Sequence, residues 1–145
     1  MNAGLIHILR VLVDALEGPV VALLFVFFAG VLFELGLVAG ELTRGLGRLR
    51  ARGDVRAADA QARARVGRAD VLARVGPMLG LMGTLIPLGP GLASLGRGDV
   101  KMLAASVTLA FDTTVLGLAI GAVGYAIGQL RRWYYGRLLD DLEGP

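Results

Sequence analysis

Long apolar runs set the outline of this chain. Pro19–Gly40, Val75–Leu95 and Met102–Leu130 are almost free of charge. Each is long enough to cross a hydrocarbon core, which takes roughly 20 residues at about 1.5 Å of rise per residue. They predict transmembrane helices over 19–40, 75–95 and 102–130, the last two joined by a turn at 96–101. Ahead of them, in residues 1–18, Leu5, Ile8, Leu9, Leu12 and Leu16 recur at helical spacing, with Arg10, Asp14 and Glu17 elsewhere. That pattern predicts an amphipathic helix on the outer membrane surface. Residues 41–74 are rich in Ala and Arg, with Gly45, Gly47 and Gly53 as interruptions. They read as a helical loop bent near Gly53 and running into the second span. Residues 131–145 form a tail, and no internal repeat is visible.

Charge orients this layout. The 41–74 loop carries Arg44, Arg48, Arg50, Arg52, Arg56, Arg63, Arg65, Arg68 and Arg74, and the tail carries Arg131, Arg132 and Arg137. The N-terminal segment has only Arg10, and the 96–101 turn only Arg97 and Lys101. Arg and Lys favour cytoplasmic loops, so the N-terminus is expected outside and the C-terminus inside a cytoplasmic (inner) membrane. Trp133, Tyr134 and Tyr135 stand where an interfacial aromatic belt belongs. This topology accounts for the arginines, and no nucleic-acid partner is expected. A cleaved signal peptide is not expected either: its basic start is missing, and no small-x-small site follows before Glu34.

Composition narrows the chemistry. The chain is 55% hydrophobic over 145 residues, so its spans leave no stretch of ordinary domain size for a soluble catalytic unit. It has no cysteine and one histidine, His7. That removes thiolate sites and disulfides and disfavours a multi-histidine metal site. No enzyme activity, metal or cofactor is expected.

The second and third spans hold more than apolar filler. Gly76, Gly80 and Gly83 recur at helical spacing on the second. Gly117, Gly121, Gly124 and Gly128 form a stripe on the third that Ala110 and Thr114 extend. Small residues let helix backbones approach closely in lipid. That surface exceeds what two helices need between themselves, which predicts oligomerisation. Pro87 and Pro90 deprive the Gly83 and Ile86 carbonyls of their donors, creating a polar spot beside Thr84. Thr84 and Thr114 lie about 14.5 and 15.5 residues from the centre of the turn, hence both roughly 22–23 Å below it. Matched hydroxyls at that depth bond across helices or hold water in a conduction path.

Asp112 is the sharpest single residue. A carboxylate near the membrane centre costs on the order of 3 kcal/mol and needs a partner, a proton or water. Thr108, one turn away, and the adjoining Thr113 are candidate donors. An ion-path role stands beside a plain packing role. Glu34 lies nearer the inner face, within reach of Arg44, and is expected to be interfacial or paired.

Two segments resemble one family. Pro77-Met78-Leu79-Gly80-Leu81-Met82-Gly83-Thr84 is similar to the P-x-L-G-L-x-G-T opening of the second core helix in the MotA/TolQ/ExbB proton channel family. Ala110-Phe111-Asp112-Thr113-Thr114-Val115-Leu116-Gly117-Leu118 resembles its A-x-x-T-T-x-x-G-L stretch. The three-span layout is like TolQ and ExbB. The resemblance implies a homopentamer around a central pore, with Thr84 and Thr114 as pore-facing threonines. It also implies a single-span partner similar to ExbD, TolR or MotB inside that pore, moved by the flow of protons or sodium ions. The family's carboxylate five residues before the second threonine is Leu109 here, so that role does not carry over to Asp112. The rivals are a self-sufficient channel or transporter in which Asp112 conducts, and a structural membrane scaffold.

Overall fold

The computed structural model describes residues 3–40 and 55–143, with side chains described over 4–40 and 63–137. Three helices account for nearly all of it: α1, Ala3–Gly40; α2, Val55–Leu95; and α3, Val100–Glu143. Gly4–Gly40, Arg63–Leu95 and Val100–Arg137 are each long and apolar enough to cross a membrane. The chain is thus a multi-pass membrane protein, all-helical among the described residues. The expected interruptions at Gly45, Gly47 and Gly53 lie outside those residues.

The N-terminal segment is not set apart as a separate surface helix. α1 runs unbroken through Pro19. Pro19 removes only the donor to the Ala15 carbonyl, and its fixed φ is already helical. The remaining backbone bonds hold the helix together across it. Likewise, the helix predicted to lead into the second span is part of α2, and the tail continues α3 to Glu143.

The α2–α3 turn is built from local capping. Gly98 adopts a left-handed φ of 80°, which a Cβ would oppose. Around it the Gly98 N–H donates to the Leu95 carbonyl at 3.0 Å, and the Asp99 N–H donates to that of Ser94 at 3.1 Å. These bonds close the end of α2. Asp99 then caps α3, its carboxylate accepting from the Met102 N–H at 3.0 Å.

α2 and α3 form an antiparallel hairpin along a glycine seam. A Cβ placed on Gly117 would stand 2.5 Å from the Gly80 Cα and 2.7 Å from the Gly76 carbonyl oxygen. One placed on Gly83 would meet Thr113, and one on Gly121 the Pro77 ring. Gly124 is held against Leu72 and Ala73 in the same way. The two backbones touch, which in lipid supplies dispersion contact that longer side chains would prevent. This corrects one expectation: the small surface is consumed within the chain, so it is not left over to bind other copies.

α1 packs on one flank of the hairpin. Val20, Leu24 and Val31 are buried against Leu72, Leu79, Ile86 and Ile120, and Val38 packs on Ala69 and Ile127. Leu72, Leu79 and Ile86 recur every seven residues, making one stripe of α2.

Candidate functional site

Counting residues from the turn placed Thr84 and Thr114 level with each other, and the structure brings their hydroxyls into direct hydrogen-bond contact. The Thr84 Oγ1 also lies 3.0 Å from the Gly80 carbonyl oxygen, and the Thr114 Oγ1 3.0 Å from that of Ala110. Each hydroxyl has one proton. At any instant one threonine donates to the other while its partner donates to its own helix. The lone pairs left over have capacity to accept a further hydrogen bond.

Position makes the pair available. On α2, Thr84 is five residues from Leu79, hence about 140° around the helix from the stripe that faces α1. Both threonines are half-buried and sit on the flank of the hairpin turned away from α1. Neighbouring Pro87 is buried and leaves the Gly83 carbonyl without its usual donor.

The other residues singled out in the sequence fall elsewhere. Thr113 is buried, its hydroxyl donating to the Leu109 and Ala110 carbonyls and its side chain filling the space beside Gly83. Asp112 is exposed and lies two residues, or about 200° around α3, from Thr114. Thr108 is exposed as well and donates to the Ala104 carbonyl, not to Asp112. The structure therefore joins Thr84 to Thr114 but sets Asp112 and Thr108 on another side. Gly80, Gly83, Gly117, Gly121 and Gly124 lie in the seam. Gly128 lies at the end of the same stripe, beside Asp70 and Ala69.

A second polar cluster lies about 25 Å along α3 from the threonines, seventeen residues further on at Arg131. Glu34 of α1 is 3% exposed, and its carboxylate takes the Arg68 guanidinium of α2 at 2.8 Å and that of Arg131 of α3 at 2.6 Å. Arg131, 2% exposed, also donates to the Arg65 carbonyl at 3.0 Å. One carboxylate thus ties three helices. Arg132 and Asp70 add a more exposed pair at 2.5 Å. The sequence leaves Glu34 interfacial or paired, with Arg44 nearest, a residue outside the described ones; only helix register reveals Arg131, 97 positions away in sequence. Beyond this cluster, Arg137 lies 3.9 Å over the Trp133 ring, which meets Tyr134 edge-on. Among the described residues, no group of acidic and histidine side chains is placed to hold a metal ion.

The structure thus sets two facing hydroxyls midway along two closely packed membrane helices. No curated protein and no solved structure matches the chain. The family model of the MotA/TolQ/ExbB proton channel family matches residues 26–143, a stretch that takes in the second and third spans and the later part of the first, and the chain belongs to that family.

Proposed function

We propose that this protein is the channel half of an ion-driven motor, in which a ring of identical copies encloses a lumen lined by Thr84 and Thr114. The observation that carries the reading is the hydroxyl pair on the flank of the hairpin away from α1. With α1 outermost, copies arranged in a ring turn that flank inward. The membership of a proton channel family favours protons as the driving ion and a pentamer as the ring. It also favours a single-span partner of the ExbD, TolR or MotB kind in the lumen. The arginine-rich loop and tail favour an orientation with the C-terminus in the cytoplasm and the Gly98 turn outside.

The chain's own residues supply shape and polarity. The glycine seam brings α2 and α3 close enough for the hydroxyls to meet. Their spare lone pairs solvate an ion or hold the water that relays it. Each proton descending a potential of about 100 mV releases roughly 2.3 kcal/mol, and several such steps suffice to turn ring and partner against each other. A self-sufficient channel using Asp112 gains less support, because Asp112 and the hydroxyl pair do not share a face.

The test is proton flux into vesicles, read with an internal pH dye under an imposed potential, with the partner co-expressed. Thr84→Val with Thr114→Val keeps the shapes and removes both hydroxyls. Flux should fall at least about tenfold, the scale of a lost 1.4 kcal/mol, with the oligomer intact. Undiminished flux overturns the reading, and loss of assembly supports the scaffold instead.

A further inference from the structure

The stripe of α2 that faces α1 changes character toward the turn. Leu72, Leu79 and Ile86 are large and packed into the core with α1. Continued at helical spacing, the stripe reads Pro90, Ala93 and Arg97, and Gly89 beside it has open space where a Cβ would stand. Side chains this short leave a gap, and a groove of about 400 Å³ opens between the two helices. Leu85 and Ile86 wall its deep end, and Arg97 stands at its mouth beside the turn. On α1 the wall includes Arg10 and, one turn deeper, Asp14.

Polarity follows depth in this groove. Arg97 and Leu85 are twelve residues apart on α2, hence about 18 Å. That is a little more than half of a hydrocarbon core roughly 30 Å thick. The groove therefore carries a guanidinium at the level of lipid headgroups and aliphatic walls beneath it, with the long Arg10 side chain able to extend to the same level. Neither arginine has an ion pair or a side-chain hydrogen bond within the chain, among the described residues. Two guanidiniums against the Asp14 carboxylate leave one net positive charge, which matches the single negative charge of a phosphodiester. Guanidiniums bind phosphate oxygens through paired, charge-assisted hydrogen bonds. Width decides what lies below. Spread over about 18 Å of helix, the volume gives a channel about 5 Å across. That admits one hydrocarbon chain and excludes a helix, which is about 10 Å across.

We propose that this groove holds one phospholipid of the leaflet on the turn side, its phosphate on Arg10 and Arg97 and one acyl chain lying over Gly89, Pro90 and Ala93. The lipid fills the wedge that the short side chains leave, and it braces α1 against the hairpin on the flank away from the threonines. The site requires neither the ring nor ion flow, so it stands or falls apart from the channel reading.

Native mass measurement of the purified protein in mild detergent, titrated with phosphatidylglycerol, counts bound lipid and gives its Kd. One lipid per chain should bind. Arg10→Gln with Arg97→Gln, both at exposed positions, should weaken binding at least about tenfold, the scale of one lost charge-assisted hydrogen bond. Ala93→Leu, which extends a side chain into the groove from an exposed position, should weaken it likewise. Arg137→Gln, at the far end of α3, should leave it unchanged. Diacylglycerol, with chains but no phosphate, and glycerol phosphate, with no chains, should each bind at least about tenfold more weakly than the lipid. Circular dichroism checks that each variant keeps its helices. Unchanged binding in the double arginine variant, equal loss in Arg137→Gln, or glycerol phosphate binding as tightly as the lipid overturns the site. So does an oligomer that Ala93→Leu dissociates while lipid binding persists, since the groove then belongs to a second copy.

Discussion

Gly117→Ala probes the seam on which the threonine pair depends. The added methyl would sit 2.5 Å from the Gly80 Cα, 2.7 Å from the Gly76 carbonyl oxygen and 2.8 Å from the Gly80 nitrogen. All three are backbone atoms, so no side chain can swing aside. Restoring ordinary contact, about 3.5 Å between carbons, requires the helices to separate by about 1 Å. Overpacking of this kind costs about 1–3 kcal/mol, and the same separation stretches the Thr84–Thr114 hydrogen bond. Gly80→Ala should be milder, its nearest contact being the Gly117 Cα at 3.0 Å, and Gly36→Ala should cost nothing and gain helix propensity, with nothing within 4 Å. Denaturation in mixed micelles, followed by circular dichroism, gives the stabilities; vesicle flux gives the second readout. The order of loss should be Gly117, then Gly80, then Gly36. Equal stability of Gly117→Ala and Gly36→Ala refutes the close seam.

Other consequences follow from individual contacts. Arg131→Met leaves the Glu34 carboxylate short of its most buried partner and should cost about 3–5 kcal/mol; adding Glu34→Leu should recover much of that loss in the same denaturation assay. Asp70→Asn, breaking the more exposed pair with Arg132, should change stability by less than about 1 kcal/mol. Gly98→Ala forces a Cβ into a left-handed turn and should cost about 1–2 kcal/mol, and Asp99→Ala about 1 kcal/mol through loss of the α3 cap; thermal denaturation of the purified protein resolves both.

Much of the site was legible because long helices are regular. Once Gly98 marks the turn, residue counting fixes depth, and Thr84 and Thr114 meet where the count puts them. The glycine stripe was equally visible, but periodicity names a face and not its partner. The length of the stripe suggests contact with other copies, but α2 and α3 in backbone contact use it within the chain. The amphipathic spacing of residues 1–18 suggests a separate surface helix, but α1 continues through Pro19, because a proline costs a long helix only one bond and need not end it. Glu34 looked paired, yet finding Arg131 required the lateral register of α1 against α3, which no local pattern encodes. Spacing pairs Thr108 with Asp112, but the backbone carbonyl at Ala104 is the nearer acceptor for a helical threonine.

Channel function requires the threonine flank to meet water in the membrane. In the cysteine-free chain, Thr114→Cys and Phe25→Cys can be challenged with a small charged thiol reagent in native membranes. Thr114→Cys should react and lose ion flux as it does, while Phe25→Cys, 62% exposed in the single chain but on the α1 periphery, should stay unmodified. Protection of Thr114→Cys from the charged reagent, with ready modification by a lipid-soluble one, would contradict a hydrated lumen.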